Sequence, residues 1–205
     1  MGHHLVTGAA GFIGSQLSET LLEAGETVRG LDCFTEYYER GRKEANLASA
    51  LAHPNYRFDD IDLRADDLAA RFDGVDVVYH LAAQPGVRLS WSDGFRTYDE
   101  CNVLATQLVL EAARTAGVAR VVYASSSSVY GEASRYPVVE TDLPRPHSPY
   151  GVTKLAAEHL CNLYARNHGL STVSLRYFTV YGPRQRPDMA HHRLCNSALR
   201  QTFSI

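Results

Sequence analysis

The segment Val6-Thr7-Gly8-Ala9-Ala10-Gly11-Phe12-Ile13-Gly14 joins a short apolar run to a longer amphipathic one. Its glycines fall at 8, 11 and 14, a GxxGxxG spacing close to the GxGxxG of dinucleotide-binding turns. Gly8 permits a tight turn out of a strand. Gly11 lets the backbone approach a pyrophosphate, and Gly14 lets the following helix pack against the sheet. The start of that helix presents free N–H groups and a positive dipole end to phosphates.

Outward from this turn, short apolar runs alternate with longer periodic ones. Strands are expected around Val6 and over 27–31, 56–58, 75–81, 120–125 and 171–176. Helices are expected over 12–24, 42–52, 65–72, 97–116, 150–168 and 189–200. Gly25, Gly117 and Gly169 stand at helix ends, where a left-handed residue closes the last turn. The stretch 137–149 carries four prolines and reads as an ordered loop. Strands alternating with helices imply βαβ units, and hence an α/β fold with a doubly wound parallel sheet. The runs VDVVYHL (75–81) and RVVYAS (120–125) are continuously apolar, as buried parallel strands require. A ligand is then expected at the carboxyl ends of the strands.

Asp32 ends the second strand, 24 positions after Gly8. A carboxylate there accepts hydrogen bonds from ribose hydroxyls and repels a 2′-phosphate, which favours NAD over NADP. Asp62 and Leu63, after the third strand, are candidates to bracket the adenine. Tyr37 and Tyr38 could pack near the adenosine or simply anchor their loop.

The 205 residues suit one domain, with little left for a second. A net charge of −3 without basic blocks argues against nucleic-acid binding. No apolar run approaches a membrane span, and no signal peptide is evident. Cys33, Cys101, Cys161 and Cys195 are scattered without metal-ligand spacing, which fits a reduced, cytoplasmic setting. Two His-His pairs, at 3–4 and 191–192, lack a carboxylate or thiol at ligand spacing, so no metal is expected. His80 reads as a packed, hydrogen-bonded residue.

A second constellation follows the fifth strand: Ser125-Ser126-Ser127-Ser128-Val129-Tyr130-Gly131, then Ser148-Pro149-Tyr150-Gly151-Val152-Thr153-Lys154. Tyr150 and Lys154 are four apart and share one helix face. A phenol titrates near 10, and a neighbouring ammonium should lower that value enough to make Tyr150 a base. Lys154 could also hold the nicotinamide ribose. A serine hydroxyl at the strand end could hold a substrate oxygen.

Together these residues resemble the extended short-chain dehydrogenase/reductase family, in its nucleotide-sugar epimerase/dehydratase branch. The matching segments are TGAAGFIG (7–14), HLAAQPGVRLSW (80–91), SSSSVYGE (125–132), SPYGVTK (148–154) and RYFTVYGPRQRPDM (176–189). The resemblance implies a Rossmann fold, NAD as cofactor and a UDP- or dTDP-sugar as substrate. It makes Ser126, Tyr150 and Lys154 the catalytic trio. Phe12 and Ile13 would offer N–H groups to the pyrophosphate, Leu81, Ala82 and Ala83 would line the cofactor, and Tyr177 would close its nicotinamide end. Asn102 would support the neighbouring helix and loops. Arg88, Ser126, Thr179 and Arg184 are candidate substrate contacts, with Arg186 also weighed for a diphosphate or carboxylate.

Thr179 and the FTVYG form are closer to UDP-glucuronate than to UDP-galactose epimerases. Sugar 4,6-dehydratases carry an Asp-Glu pair where Ser127 and Ser128 stand, and UDP-glucuronate decarboxylases a glutamate at the second of these. The implied reaction is therefore 4-epimerisation by transient oxidation at C4. The family's chains are longer, so the resemblance implies an NAD-binding domain over 1–180 and the start of a substrate-binding region over 181–205, with most of the substrate domain expected to be missing. A non-catalytic NAD-binding or homodimerisation module, and an oxidoreductase acting on another small alcohol, remain open alternatives.

Overall fold

The computed structural model describes residues 1–133 and 135–200. The chain runs β1 (His3–Thr7), α1 (Phe12–Glu23), β2 (Thr27–Asp32), α2 (Arg40–Leu51), β3 (Tyr56–Asp60), α3 (Ala69–Phe72) and β4 (Val77–His80). It continues through α4 (Phe95–Tyr98), α5 (Ala105–Ala116), β5 (Arg120–Ser126), α6 (Pro149–His168), β6 (Ser171–Tyr177) and α7 (Ala190–Arg200). All six strands pair in parallel in the order β3-β2-β1-β4-β5-β6. This is the expected doubly wound Rossmann sheet. The order reverses beside β1, and a crevice opens there at the carboxyl ends.

Alternate strand residues face opposite helix layers. Leu5, Leu31, Val78 and Val121 pack on one side with Phe72, Val109, Leu110 and Cys161. Val6 and Val28 pack on the other with Ala9, Leu22, Leu47 and Tyr56. Each fully buried aliphatic side chain contributes about 1.5–3 kcal/mol. Burial on both faces explains why these strands read as unbroken apolar runs.

Several element bounds differ from the sequence expectation. The strand expected over 75–81 is confined to Val77–His80. Its end is cut because the Leu81 and Ala82 N–H groups both donate to Thr7 Oγ1, at 3.1 Å each. The helix expected over 65–72 shrinks to Ala69–Phe72, since Asp62, Asp66 and Asp67 divert the preceding backbone N–H groups into side-chain bonds. The helix expected over 97–116 starts earlier and widens into a π turn at Asp99–Leu104. The π turn holds Asn102, which is 1% exposed. Asn102 grips the Gln84 backbone twice, at 2.8 and 3.1 Å, and donates to Thr153 Oγ1 at 3.1 Å. Asn102 thus ties the loop after β4 to α6, the support expected of it. No described helix is long and apolar enough to cross a membrane.

Candidate active site

The crevice is a cleft of about 370 Å³ above β1, β2, β4 and β5. Gly8, Gly11, Phe12, Ile13, Gly14, Asp32, Asp62 and Leu63 line one part of it. Leu81, Ala82, Ala83, Ser126, Tyr150, Lys154, Tyr177 and Thr179 line the rest.

The glycine turn has the shape its spacing implies. Gly8 has φ +70°, and a Cβ on it would lie 2.9 Å from the Ala82 nitrogen. A Cβ on Gly14 would collide with the Gly8 carbonyl oxygen. Gly11 precedes α1 and has no side chain to cap it, so the first-turn N–H groups of Phe12 and Ile13 are left at the cleft. A cradle that side chains would fill, with uncapped helix donors at its floor, fits a pyrophosphate.

Asp32 does more than wait for a ribose. Its two carboxylate oxygens accept from the Ala10 N–H at 3.1 Å and the Phe34 N–H at 2.9 Å, so it also anchors the glycine turn. Burial pushes its carboxyl above the ordinary value, against those two bonds and the Lys43 ammonium. Asp62 lines the cleft but is held by Arg64 through a 2.6 Å bond, and that pairing keeps its carboxyl low.

Below the turn lies a closed hydrogen-bond chain. Thr106 Oγ1 donates to the Asn102 carbonyl at 2.7 Å, so it must accept from His80 Nε2 at 3.0 Å. His80 Nδ1 then accepts from Thr7 Oγ1 at 2.8 Å, and Thr7 takes the Leu81 and Ala82 N–H groups. His80 is the neutral, packed residue expected, with burial holding its pKa down to about 3.

At the other end, Tyr150 and Lys154 lie one turn apart on α6, whose start is capped by Ser148 and Pro149. Ser126 faces the cleft and accepts the Ser128 N–H at 3.1 Å. Lys154 is buried and donates to the Ala124 carbonyl at 2.8 Å, beneath the Tyr123 ring. Burial lowers its pKa to about 8. Tyr150 corrects the sequence reading. Burial raises its phenol above 10, and the groups that pull it back are Ser126 and then Arg186. The Lys154 ammonium is engaged by the Ala124 carbonyl of the strand in this arrangement.

The model of the NAD dependent epimerase/dehydratase family matches residues 4–202. The chain belongs to that family. It is 49% identical over 198 residues to an uncharacterised UDP-glucose epimerase, YtcB, of Bacillus subtilis (strain 168), covering 96% of this chain and 62% of that one. It is 39% identical to a UDP-glucuronate 4-epimerase of Thermodesulfobacterium geofontis, covering 94% and 60%. The crystal structure of UDP-glucuronic acid 4-epimerase from Bacillus cereus, in complex with UDP-glucuronic acid and NAD, superposes with a TM-score of 0.94 at 47% identity. That match covers 98% of this chain and 64% of the other. The chain thus spans about three fifths of these family members.

Two candidate substrate contacts of this family member lie elsewhere. Arg184 donates to Ser15 Oγ at 3.2 Å and Glu19 Oε1 at 2.8 Å, pinning the segment after β6 to α1. Gln16 reinforces the pin through the Pro183 carbonyl at 2.7 Å. Arg88 sits exposed on a single 3-10 turn outside the cleft wall. Of the three arginines weighed for substrate, Arg186 is the one that lines the cleft, held by Asp188 at 3.0 Å and lying over Tyr37.

Sequence reasoning did not single out Lys43, on α2. It lines the cleft, is 5% exposed, and donates to the Thr35 carbonyl at 2.7 Å. A signal for it was present: of 20 Lys and Arg residues, Lys43 and Lys154 are the two lysines. Among the described residues no three His, Cys, Asp or Glu side chains gather as metal ligands.

Proposed function

We propose that this chain carries the NAD-binding and proton-transfer half of a nucleotide-sugar 4-epimerase of the UDP-glucuronate type. The observation behind the reading is that one cleft has the glycine turn at one end and Ser126, Tyr150 and Lys154 at the other. NAD would be held by Gly8, Gly11, Phe12, Ile13, Gly14, Asp32, Asp62, Leu63, Leu81, Ala82, Ala83 and Tyr177, and by Tyr150 and Lys154 at its nicotinamide end. Bound there, NAD supplies a reversible hydride acceptor.

Tyr150 takes the proton of the sugar C4 hydroxyl as the C–H bond breaks, and returns it once the keto sugar presents its other face. Ser126 holds the same oxygen. Burial raises the phenol, and the Ser126 hydroxyl first and the Arg186 charge second draw it back towards ionisation. Arg186 also suits a uronate carboxylate, and Thr179 lines the same cleft. Ser127 and Ser128 offer no carboxylate for dehydration or decarboxylation. Support comes from the UDP-glucuronate epimerases among the relatives.

We read residues 1–180 as the cofactor domain and 181–205 as the start of the substrate region. A cytoplasmic setting agrees with four free cysteines. A homodimer through α5 and α6 is proposed from the exposed Leu104, Val152 and Leu163 on or beside them. A module that binds NAD without turnover is the second reading.

The test is incubation of the chain with NAD and UDP-glucuronate or UDP-glucose, with products identified by NMR. C4 epimerisation without net NADH is expected, falling about 10²–10⁴-fold in Tyr150→Phe with NAD affinity retained. Undiminished turnover in that variant removes Tyr150 from the reaction. NAD binding without turnover in the wild type selects the second reading.

A further inference from the structure

Tyr150, Lys154 and Glu158 lie at successive turns along one face of α6. Opposite them run Ala124, Ser125 and Ser126, three consecutive residues at the end of β5. Each of the three strand residues has its own helix partner. The Ala124 carbonyl accepts from Lys154, the Ser125 hydroxyl donates to Glu158, and Ser126 neighbours Tyr150. Glu158 is the one member of this set that does not line the cleft. Its carboxylate is 6% exposed and bound on its far side by Arg176, at 3.0 and 2.9 Å. Arg176 in turn lies over the Tyr130 ring and donates to the Glu140 carbonyl at 3.2 Å.

We infer that Glu158 is a positioning residue for the Tyr150–Lys154 pair. By gripping Ser125 with one oxygen and Arg176 with both, it fixes the end of β5 against α6. The Ala124 carbonyl and Ser126 hydroxyl are thereby held where Lys154 and Tyr150 use them. This rests on the reading of Tyr150 and Lys154 as the working pair. A buried ion pair contributes little net stability, and removing one partner leaves the other charge buried and uncompensated. The groups facing Lys154 are His80 from β4, Tyr123 from β5, and Glu158 and Cys161 from its own helix, with Arg176 of β6 behind Glu158.

The chain's two lysines make the test direct. With lysine labelled at Cε, NMR follows Lys154 and Lys43 as two separate titrations, and Lys43 serves as internal reference. In Glu158→Gln the Lys154 midpoint should fall by about half a unit or more, with Lys43 unmoved. Glu158→Asp keeps the charge and should recover most of the wild-type midpoint. Ser125→Ala removes only the strand-side contact and is expected to fold. It should weaken NAD binding roughly three- to tenfold without lowering the melting temperature appreciably. An unmoved Lys154 midpoint in folded Glu158→Gln, or wild-type NAD affinity in Ser125→Ala, overturns the inference. Neither readout depends on turnover. Failure of the epimerase reading would appear instead as an active Tyr150→Phe protein.

Discussion

His80 spends both ring nitrogens on Thr7 and Thr106, so it has no room for a second proton. Its pKa lies near 3 in the fold against an ordinary 6.5. Between those values the unfolded chain binds the proton and the folded chain does not, so stability falls as pH drops from 6.5 towards 3. The loss reaches a few kcal/mol at the lower end. Denaturant melts at stepped pH should show this decline. His80→Gln should flatten it, while costing about 1–3 kcal/mol at pH 7. At this scale the sequence was uneven to read. Residue type and spacing made the shape of the turn at Gly8 and Gly14 legible, and also the placement of Ser126, Tyr150 and Lys154 on one cleft, because both follow from backbone shape or helix face. Arg184 and Arg88 were not legible. An arginine reaches far, and only packing decides whether it meets a ligand, solvent or Glu19. The direction of the Tyr150 shift was also hidden, because it depends on how deeply the ring is buried.

The contact between the glycine turn and α1 sets how near the helix comes to the sheet. Gly14→Ala drives a methyl group into the Gly8 carbonyl, where backbone rather than a flexible side chain must give way. Loss of about 1–3 kcal/mol and of NAD binding is expected, read by melting and by nucleotide titration. Phe12→Ala, whose side chain is not part of that contact, is the comparison. Element order and type followed from period and from Gly25, Gly117 and Gly169. Element ends did not, because they are settled by side chains competing for backbone N–H groups, as Thr7 does at Leu81 and Asp62 at Arg64. The π turn at Asp99–Leu104 left no periodic trace over its six residues. Its reason is tertiary: a wider turn carries Asn102 to Gln84 and Thr153. Such bulges inside helices are often functional.

For the molecule as a whole, a ligand that binds only the folded chain must raise its melting point. At a hundredfold excess over its dissociation constant NAD adds about 2.7 kcal/mol, or roughly 5–11 °C for a domain of this size. Scanning calorimetry with and without NAD measures this, and absence of any shift at millimolar NAD would leave the cleft without its proposed occupant. Gly14→Ala should lose the shift. The two lysines, both sunk in the cleft wall, have one more consequence. Every other cationic side chain of these 205 residues apart from histidine is an arginine, so an amine-acylating reagent can reach a side chain here only by entering the cleft wall. A succinimidyl dye should therefore leave Lys43 and Lys154 unmarked in the folded protein, and a label on either would report that the interior had been breached.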